Sequence, residues 1–307
     1  RCLLYDAYPL SILATKDNYL GWFYSNYIHL CCHNNYLTDD LYFDENKTWV
    51  YNNQEDQTIY ENKTWFYNNQ EDQTIYEPIN KNKYRKKNKI FLEFFGPSQA
   101  LFSPFIKFEI LSWKVLIDSN IEIIELIKHH IENNYYFYGF INEYYIPESS
   151  FYLKEHFIHD FLIYGYDDRR GLFLTAGYSF YNSQEMIYTT SKIKYNDFYN
   201  AFINKDQCEN VFNWNDNIYF LTKNSNTRYN VDLSMVIESL TDYLNSKNIS
   251  DKYLRYCNSI KSMNFGVSVY SKIIEYYALV LDDKYFSDVR IPFLLWEHKK
   301  CMVARFE

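Results

Sequence analysis

The segment HDFLIYGYDDRRGLFLTAGY, residues 159–178, constrains the fold more than any other part of the chain. Two aromatic and β-branched runs, 159–168 and 171–178, flank the short link DDRRG. Such runs favour a pleated, half-buried surface. A link this short joins strands as an antiparallel hairpin, because a parallel pair needs a long crossover. Further runs read as extended: 104–116, 135–147 (closed by Pro147), MIYTTSKI and 217–224. Between them, Asn120–Glu132 predicts an amphipathic helix with Asn120 as N-cap and Ile124, Ile127 and Ile131 on one stripe. KYNDFYNAF predicts a short helix, and residues 7–32 read as buried helix or mixed structure.

From Asn230 the pattern turns helical. NVDLSMVIESLTDYLNSK predicts a helix capped by Asn230, with Leu233, Ile237, Leu240 and Leu244 on one face. Segments 265–283 and 288–306 predict two more, with Pro292 near the start of the last one or kinking it. Strands gathered in the middle and helices at the end give an α+β class, not an alternating βαβ one. The expected organisation is a domain over 1–225, with a polar surface insertion at about 33–89, followed by a helical region over 226–307.

That insertion holds a tandem repeat, ENKTWVYNNQEDQTIY (45–60) and ENKTWFYNNQEDQTIY (61–76), differing only at Val50 and Phe66. Two copies cannot build a solenoid, which needs about three or more stacked units. Each copy reads as a small hairpin, TWVY or TWFY against TIY, and the near-identity reads as a duplication within a tolerant surface loop. Lys81, Lys83, Arg85, Lys86, Lys87 and Lys89 follow an acidic stretch. This is a solvated face or a contact for phosphates or an acidic carrier protein.

Several function classes fall away. A net charge of -8 opposes general nucleic-acid binding. No apolar run has the length of a membrane span, and RCLLYDAYPLSILATKDNYL does not read as a signal peptide. The six Cys (2, 31, 32, 208, 257 and 301) are scattered, as reduced cytoplasmic thiols are. With seven Gly, none spaced for a phosphate loop, and no HExxH, paired CxxC or GxSxG, no cofactor or metal is expected. His29, Cys31, Cys32 and His33 read as buried thiols with neighbouring histidines. His129 and His130 read as surface residues. Glu297–His298 reads as a buried, paired couple. His159 opens an apolar strand, where it is either a base or a strand-end cap.

HFIHDFLIYGYDDRRGLFLTAGY resembles the H-x-x-x-x-x-G-Y-D-D stretch of the butirosin biosynthesis protein H N-terminal family. The order of elements from IIELIKHHIENN to SKIKYNDFYNAF is similar as well, and the clear similarity covers roughly 104–205. The resemblance implies a papain-like cysteine-peptidase or acyltransferase fold in bacterial secondary-metabolite biosynthesis. It implies that His159 is the family's base and that Cys2, ahead of AYPLSIL, occupies the place of its nucleophile. The family's acidic third residue has Gly177 or its neighbours in its slot. Asp160 is expected on the opposite face of the strand, and Asp167 and Asp168 at the turn. These residues imply either an accessory or binding protein with an incomplete triad, or an active thiol-dependent acyltransferase or amide hydrolase using Cys2 and His159. An acyl-carrier protein, a small molecule or a peptide is the implied partner.

Overall fold

A computed structural model of the chain describes residues 4–15, 19–33, 41–43, 49–51, 92–95, 101, 103–179, 187–208, 216–253, 263–282, 287–288 and 290–307. The elements run α1 (Leu4–Leu13), α2 (Leu20–Asn26), β1 (Leu30–His33), β2 (Leu41–Phe43), β3 (Trp49–Tyr51), β4 (Leu92–Phe94) and β5 (Ile106–Ser112). Then come α3 (Trp113–Asp118), α4 (Ile123–Glu132), β6 (Tyr136–Asn142), a 3-10 turn (Glu143–Tyr145), β7 (Ile158–Asp167), β8 (Leu172–Ser179), β9 (Ile187–Lys194) and α5 (Tyr195–Ile203). The chain continues through β10 (Asn217–Lys223), α6 (Leu233–Leu244), β11 (Met263–Phe265), α7 (Val269–Leu281) and α8 (Arg290–Ala304). The fold is mixed α+β with antiparallel sheets and several helices.

The main sheet has six strands in the order β5-β10-β6-β7-β8-β9, every neighbouring pair antiparallel. The expected hairpin is β7–β8, turning through Arg170 and a left-handed Gly171. Period-two alternation sends residues to opposite faces. Phe137, Ile141, Ile163 and Phe173 pack under α3, α4 and α5, with Leu116, Ile127, Phe198 and Phe202. Tyr138, Phe140, Ile158 and Leu162 face Tyr8 of α1. That second core also takes Val236 and Tyr243 of α6, Val269 and Ile273 of α7, and Ile291 and Leu294 of α8. The C-terminal region further supplies β11, which pairs with β1, itself paired with β4. Residues on both sides of position 225 therefore share one core and one small sheet.

Several local expectations are corrected. Residues 104–116 are extended only to Ser112; α3 follows, tied by the Trp113 indole N–H to the carbonyl of Phe202 at 2.8 Å. Asn120 does not cap α4. It has φ 51°, the left-handed turn that reverses the chain after α3, and Glu122 holds the cap position. Asp232, not Asn230, caps α6, its carboxylate accepting from the Met235 N–H at 3.0 Å. The stripe expected in the core is largely outside: Leu233, Ile237 and Leu244 are exposed, while Val236 and Tyr243 of the adjacent face are buried. Apolar residues flank that helix on both sides, so periodicity alone left its orientation open. Trp49–Tyr51 of the first repeat copy pairs with Leu41–Phe43, which precedes the copy. The TIY half of that copy and all of the second copy lie outside the described residues. Among the described residues no helix is long and apolar enough to cross a membrane.

Candidate functional site

The register of β6 against β7 sets Ile141 opposite His159 and Asn142 opposite Ile158. Glu143 follows directly, and its N–H donates to the carbonyl of Phe157 at 2.8 Å. Being two residues beyond the partner of His159, Glu143 falls on the same face, diagonally across the pair. The 3-10 turn is fixed by the fully buried Asn142, whose Oδ1 accepts from the Tyr144 N–H at 3.2 Å. Its amide nitrogen reaches the Asn204 carbonyl and His156 Nδ1, both at 2.9 Å. This bracing delivers Glu143 Oε1 to 2.8 Å from His159 Nδ1.

Glu143 is a second acidic partner that sequence reasoning missed. Burial pushes its carboxyl up, but the His159 charge and hydrogen bonds from His159 and Ser149 outweigh this and hold it below the usual value. The Asp160 carboxylate lies on the other side of the ring, with Oδ1 3.5 Å from Nε2. Alternation sets Asp160 on the Tyr8 face with its partner Phe140, and its carboxylate, which also accepts from its own backbone N–H, still comes within this distance of the ring edge. Burial pushes the Asp160 carboxyl up to about 6, opposed by the His159 charge and assisted by Glu143. The imidazole keeps 28% of its surface exposed against 16% and 11% for the two carboxylates. A reactant therefore meets the ring before it meets either acid.

Tyr8 joins this cluster to α1. Its buried hydroxyl donates to the carbonyl of Asp160 at 3.3 Å. Burial, then the nearby Asp160, raise its phenol well above the ordinary value, so it remains a neutral donor. Gly177 occupies the slot where the resembled family keeps its acid, and a Cβ there would lie 2.9 Å from the Tyr8 hydroxyl. The glycine makes room for the tyrosine, and α1 settles against β7 and β8. Asp167 and Asp168 do not contribute: they pair with Arg170 at 3.7 Å and Lys128 at 3.0 Å.

Cys2 lies outside the described residues; α1 begins at Leu4. Cys31, Cys32 and Cys208 are buried, and Cys301 is partly so. Burial pushes Cys31 well above the thiol range, Cys32 and Cys208 up to about 12, and Cys301 upward. None of these four has the lowered value of an activated thiol. Cys31 and Cys32 enter separate apolar clusters, as adjacent strand residues do. Among the described residues no group of three or more His, Cys, Asp and Glu could hold a metal ion.

Of the other histidines, His129 is exposed as expected, while His130, His298 and His29 pack within the fold. His130 is not a surface residue: its ring stacks on Phe220 with centroids 3.6 Å apart, and Nδ1 bonds the Leu126 carbonyl at 2.8 Å. His298 is fully buried and bonds the Ile28 carbonyl through Nε2 at 2.9 Å, while Glu297 pairs with Lys300. His29 and His298 each have an Nδ1 with no hydrogen-bond partner among the described residues, and burial lowers both to about 4.

The signal for Glu143 was a carboxylate at a strand end two positions past the partner of His159, legible only once the β6–β7 register is known. No protein-family model, no curated protein and no solved structure matches this chain.

Proposed function

We propose that residues 1–225 form a papain-like thiol enzyme that transfers or hydrolyses an acyl group, with Cys2 as nucleophile, His159 as base and Glu143 as the group that orients the base. The 2.8 Å contact between Glu143 Oε1 and His159 Nδ1 carries this reading. It supplies the orienting group that Gly177 cannot. A carboxylate on Nδ1–H leaves Nε2 as the basic nitrogen. In the proposed reaction the Cys2 thiol proton passes to Nε2 and the thiolate attacks a thioester or amide carbonyl, forming a C–S bond. The leaving thiol or amine takes the proton from Nε2. An amine or water then releases the acyl group. The substrate is a small molecule or peptide, free or carried on an acyl-carrier protein, in secondary-metabolite biosynthesis.

The choice of Cys2 rests on the family resemblance, which sets it ahead of AYPLSIL.

A second reading, an accessory or binding protein on the same fold, is favoured by Asp160. Its carboxylate stands 3.5 Å from Nε2, the nitrogen that must receive the thiol proton. Iodoacetamide labelling near neutral pH separates the two. The enzyme reading expects Cys2 to be alkylated far faster than the other five cysteines, with that advantage lost in His159→Asn. Six equally slow thiols, unaffected by His159→Asn, would sink catalysis and leave the binding reading.

A further inference from the structure

We infer that Ser149 is a positioning residue for the Glu143–His159 pair; its purpose rests on the acyl-transfer reading, but its geometry does not. A carboxylate held through one oxygen can still rotate, because the terminal torsion of Glu is broad and two-fold. Ser149 removes that freedom. Its hydroxyl donates to Glu143 Oε2 at 2.6 Å, while Oε1 faces His159 Nδ1 at 2.8 Å. Both oxygens are then engaged and the carboxylate plane is set.

The hydroxyl is itself aimed. Ser149 Oγ accepts from the Phe151 N–H at 3.1 Å, so one lone pair is engaged and its single proton is directed to Glu143. The serine backbone is held on both sides: its N–H donates to the Ile146 carbonyl at 2.9 Å, and its carbonyl accepts from the Tyr152 N–H at 3.2 Å. The segment then closes onto the 3-10 turn, where the Leu153 N–H donates to the Tyr144 carbonyl at 3.1 Å. Leu153 makes this closure at φ 53°, a left-handed conformation that a leucine rarely adopts. Strain of this kind persists only where surrounding contacts over-determine the backbone. Both ends of the Ser149–Glu143 bond are therefore fixed by separate backbone contacts.

The consequence is chemical. A hydrogen bond to the ionised form of a carboxyl favours that form. Ionised and fixed in plane, Glu143 keeps the imidazole proton on Nδ1 and the lone pair on Nε2. Removing the hydroxyl leaves a buried oxygen without a donor and lets the carboxylate turn away from the ring.

The test titrates the Glu143 carboxyl by carbon NMR, assigned with Glu143→Gln, in the full chain and in its Ser149→Ala and Ser149→Thr variants. The rate–pH profile of Cys2 alkylation by iodoacetamide is recorded alongside. Ser149→Ala is expected to raise the Glu143 midpoint by roughly half to one unit and to slow Cys2 alkylation at pH 7 by about threefold to tenfold. Ser149→Thr, which keeps the hydroxyl, is expected to restore both. An unchanged Glu143 midpoint in Ser149→Ala, or an equal shift in Ser149→Thr, overturns the inference. If wild-type Cys2 reacts no faster than the other thiols, the acyl-transfer reading fails, and the Glu143 midpoint alone decides the role of Ser149.

Discussion

His159 and His298 are the same side chain in opposite surroundings. At the mouth of β7 the His159 ring stands between two carboxylates, 2.8 Å from Glu143 and 3.5 Å from Asp160, and keeps part of its surface in solvent. On α8 the His298 ring has no exposure, lies against Phe94 and Tyr243, and has Lys299, Arg305 and His29 near it, each of which opposes a proton on the ring. The first ring stands beside two carboxylates; burial and the neighbouring cations disfavour a proton on the second. Since the residue is common to both, the difference is set by the elements around it, and chemistry belongs with the surroundings that welcome charge.

The largest effect expected separates the two by what is lost. His159→Asn is predicted to lower the proposed acyl transfer by about a thousandfold, roughly 4 kcal/mol of barrier, with little change in thermal stability. Thioester turnover and a melting curve on the same sample check this; a variant that keeps its activity removes His159 from the site.

His298→Ala is predicted to do the reverse, costing about 3 kcal/mol of stability through a cavity and an unpaired Ile28 carbonyl. Its pH signature has a definite sign. Folded His29 and His298 titrate near 4, below the ordinary 6.5, so the unfolded chain binds the extra protons between those values. Stability then falls as pH drops from 6.5 to 4, by up to about 3 kcal/mol for each ring. His298→Gln, which can still donate to Ile28, should flatten that slope. Denaturant melts across the window test it, and an unchanged slope would place the titration elsewhere.

Asp160 tests whether the charged site is held at a cost. Its folded value, about 6, lies above the ordinary 3.8, so the folded protein binds the extra proton between them. Its contribution is most favourable below pH 3.8 and is lost as pH rises through 6. Asp160→Asn should therefore stabilise the protein at pH 7 by up to about 3 kcal/mol and have no such effect below pH 4. A variant destabilised at pH 7 would mean that the Asp160–His159 attraction outweighs burial.

How far the sequence reveals these two regions depends on the range of the signal. The β7–β8 hairpin, α5 and the buried Cys31–Cys32 pair follow local pattern, and all were legible. Glu143 was not, because its place beside His159 depends on pairing Ile141 with His159 across a loop that residue order does not align. Asp160 stands on the face that alternation expects, beside Tyr8, but its approach to within 3.5 Å of His159 Nε2 was not legible from the strand pattern. The exposed stripe of α6 was misread because Val236 and Tyr243 offer a second apolar face. The three residues of β11 make a strand only through β1, too short a run to announce itself. Cys2, the proposed nucleophile, lies outside the described residues.

A smaller effect links α1 to the charged region alone. Gly177→Ala is predicted to cost about 1 kcal/mol by displacing the Tyr8 hydroxyl, 2.9 Å from the new methyl, from the Asp160 carbonyl. Tyr8→Phe should cost a similar amount. The double variant should cost less than the sum, since removing the hydroxyl makes room for the methyl. Full additivity in a double-mutant cycle would mean that the two residues do not act on each other.

The smallest effect serves as the control on both regions. Deleting residues 61–76 removes one repeat copy and keeps the copy whose Trp49–Tyr51 pairs with Leu41–Phe43. Shortening the connection between Tyr51 and Leu92 changes loop-closure entropy by roughly 0.5 kcal/mol. Neither the Glu143 titration nor the acid slope from His29 and His298 should move. A loss well beyond that entropy, or a shift in either titration, would show that the second copy packs on one of the two regions, and the altered readout would say which.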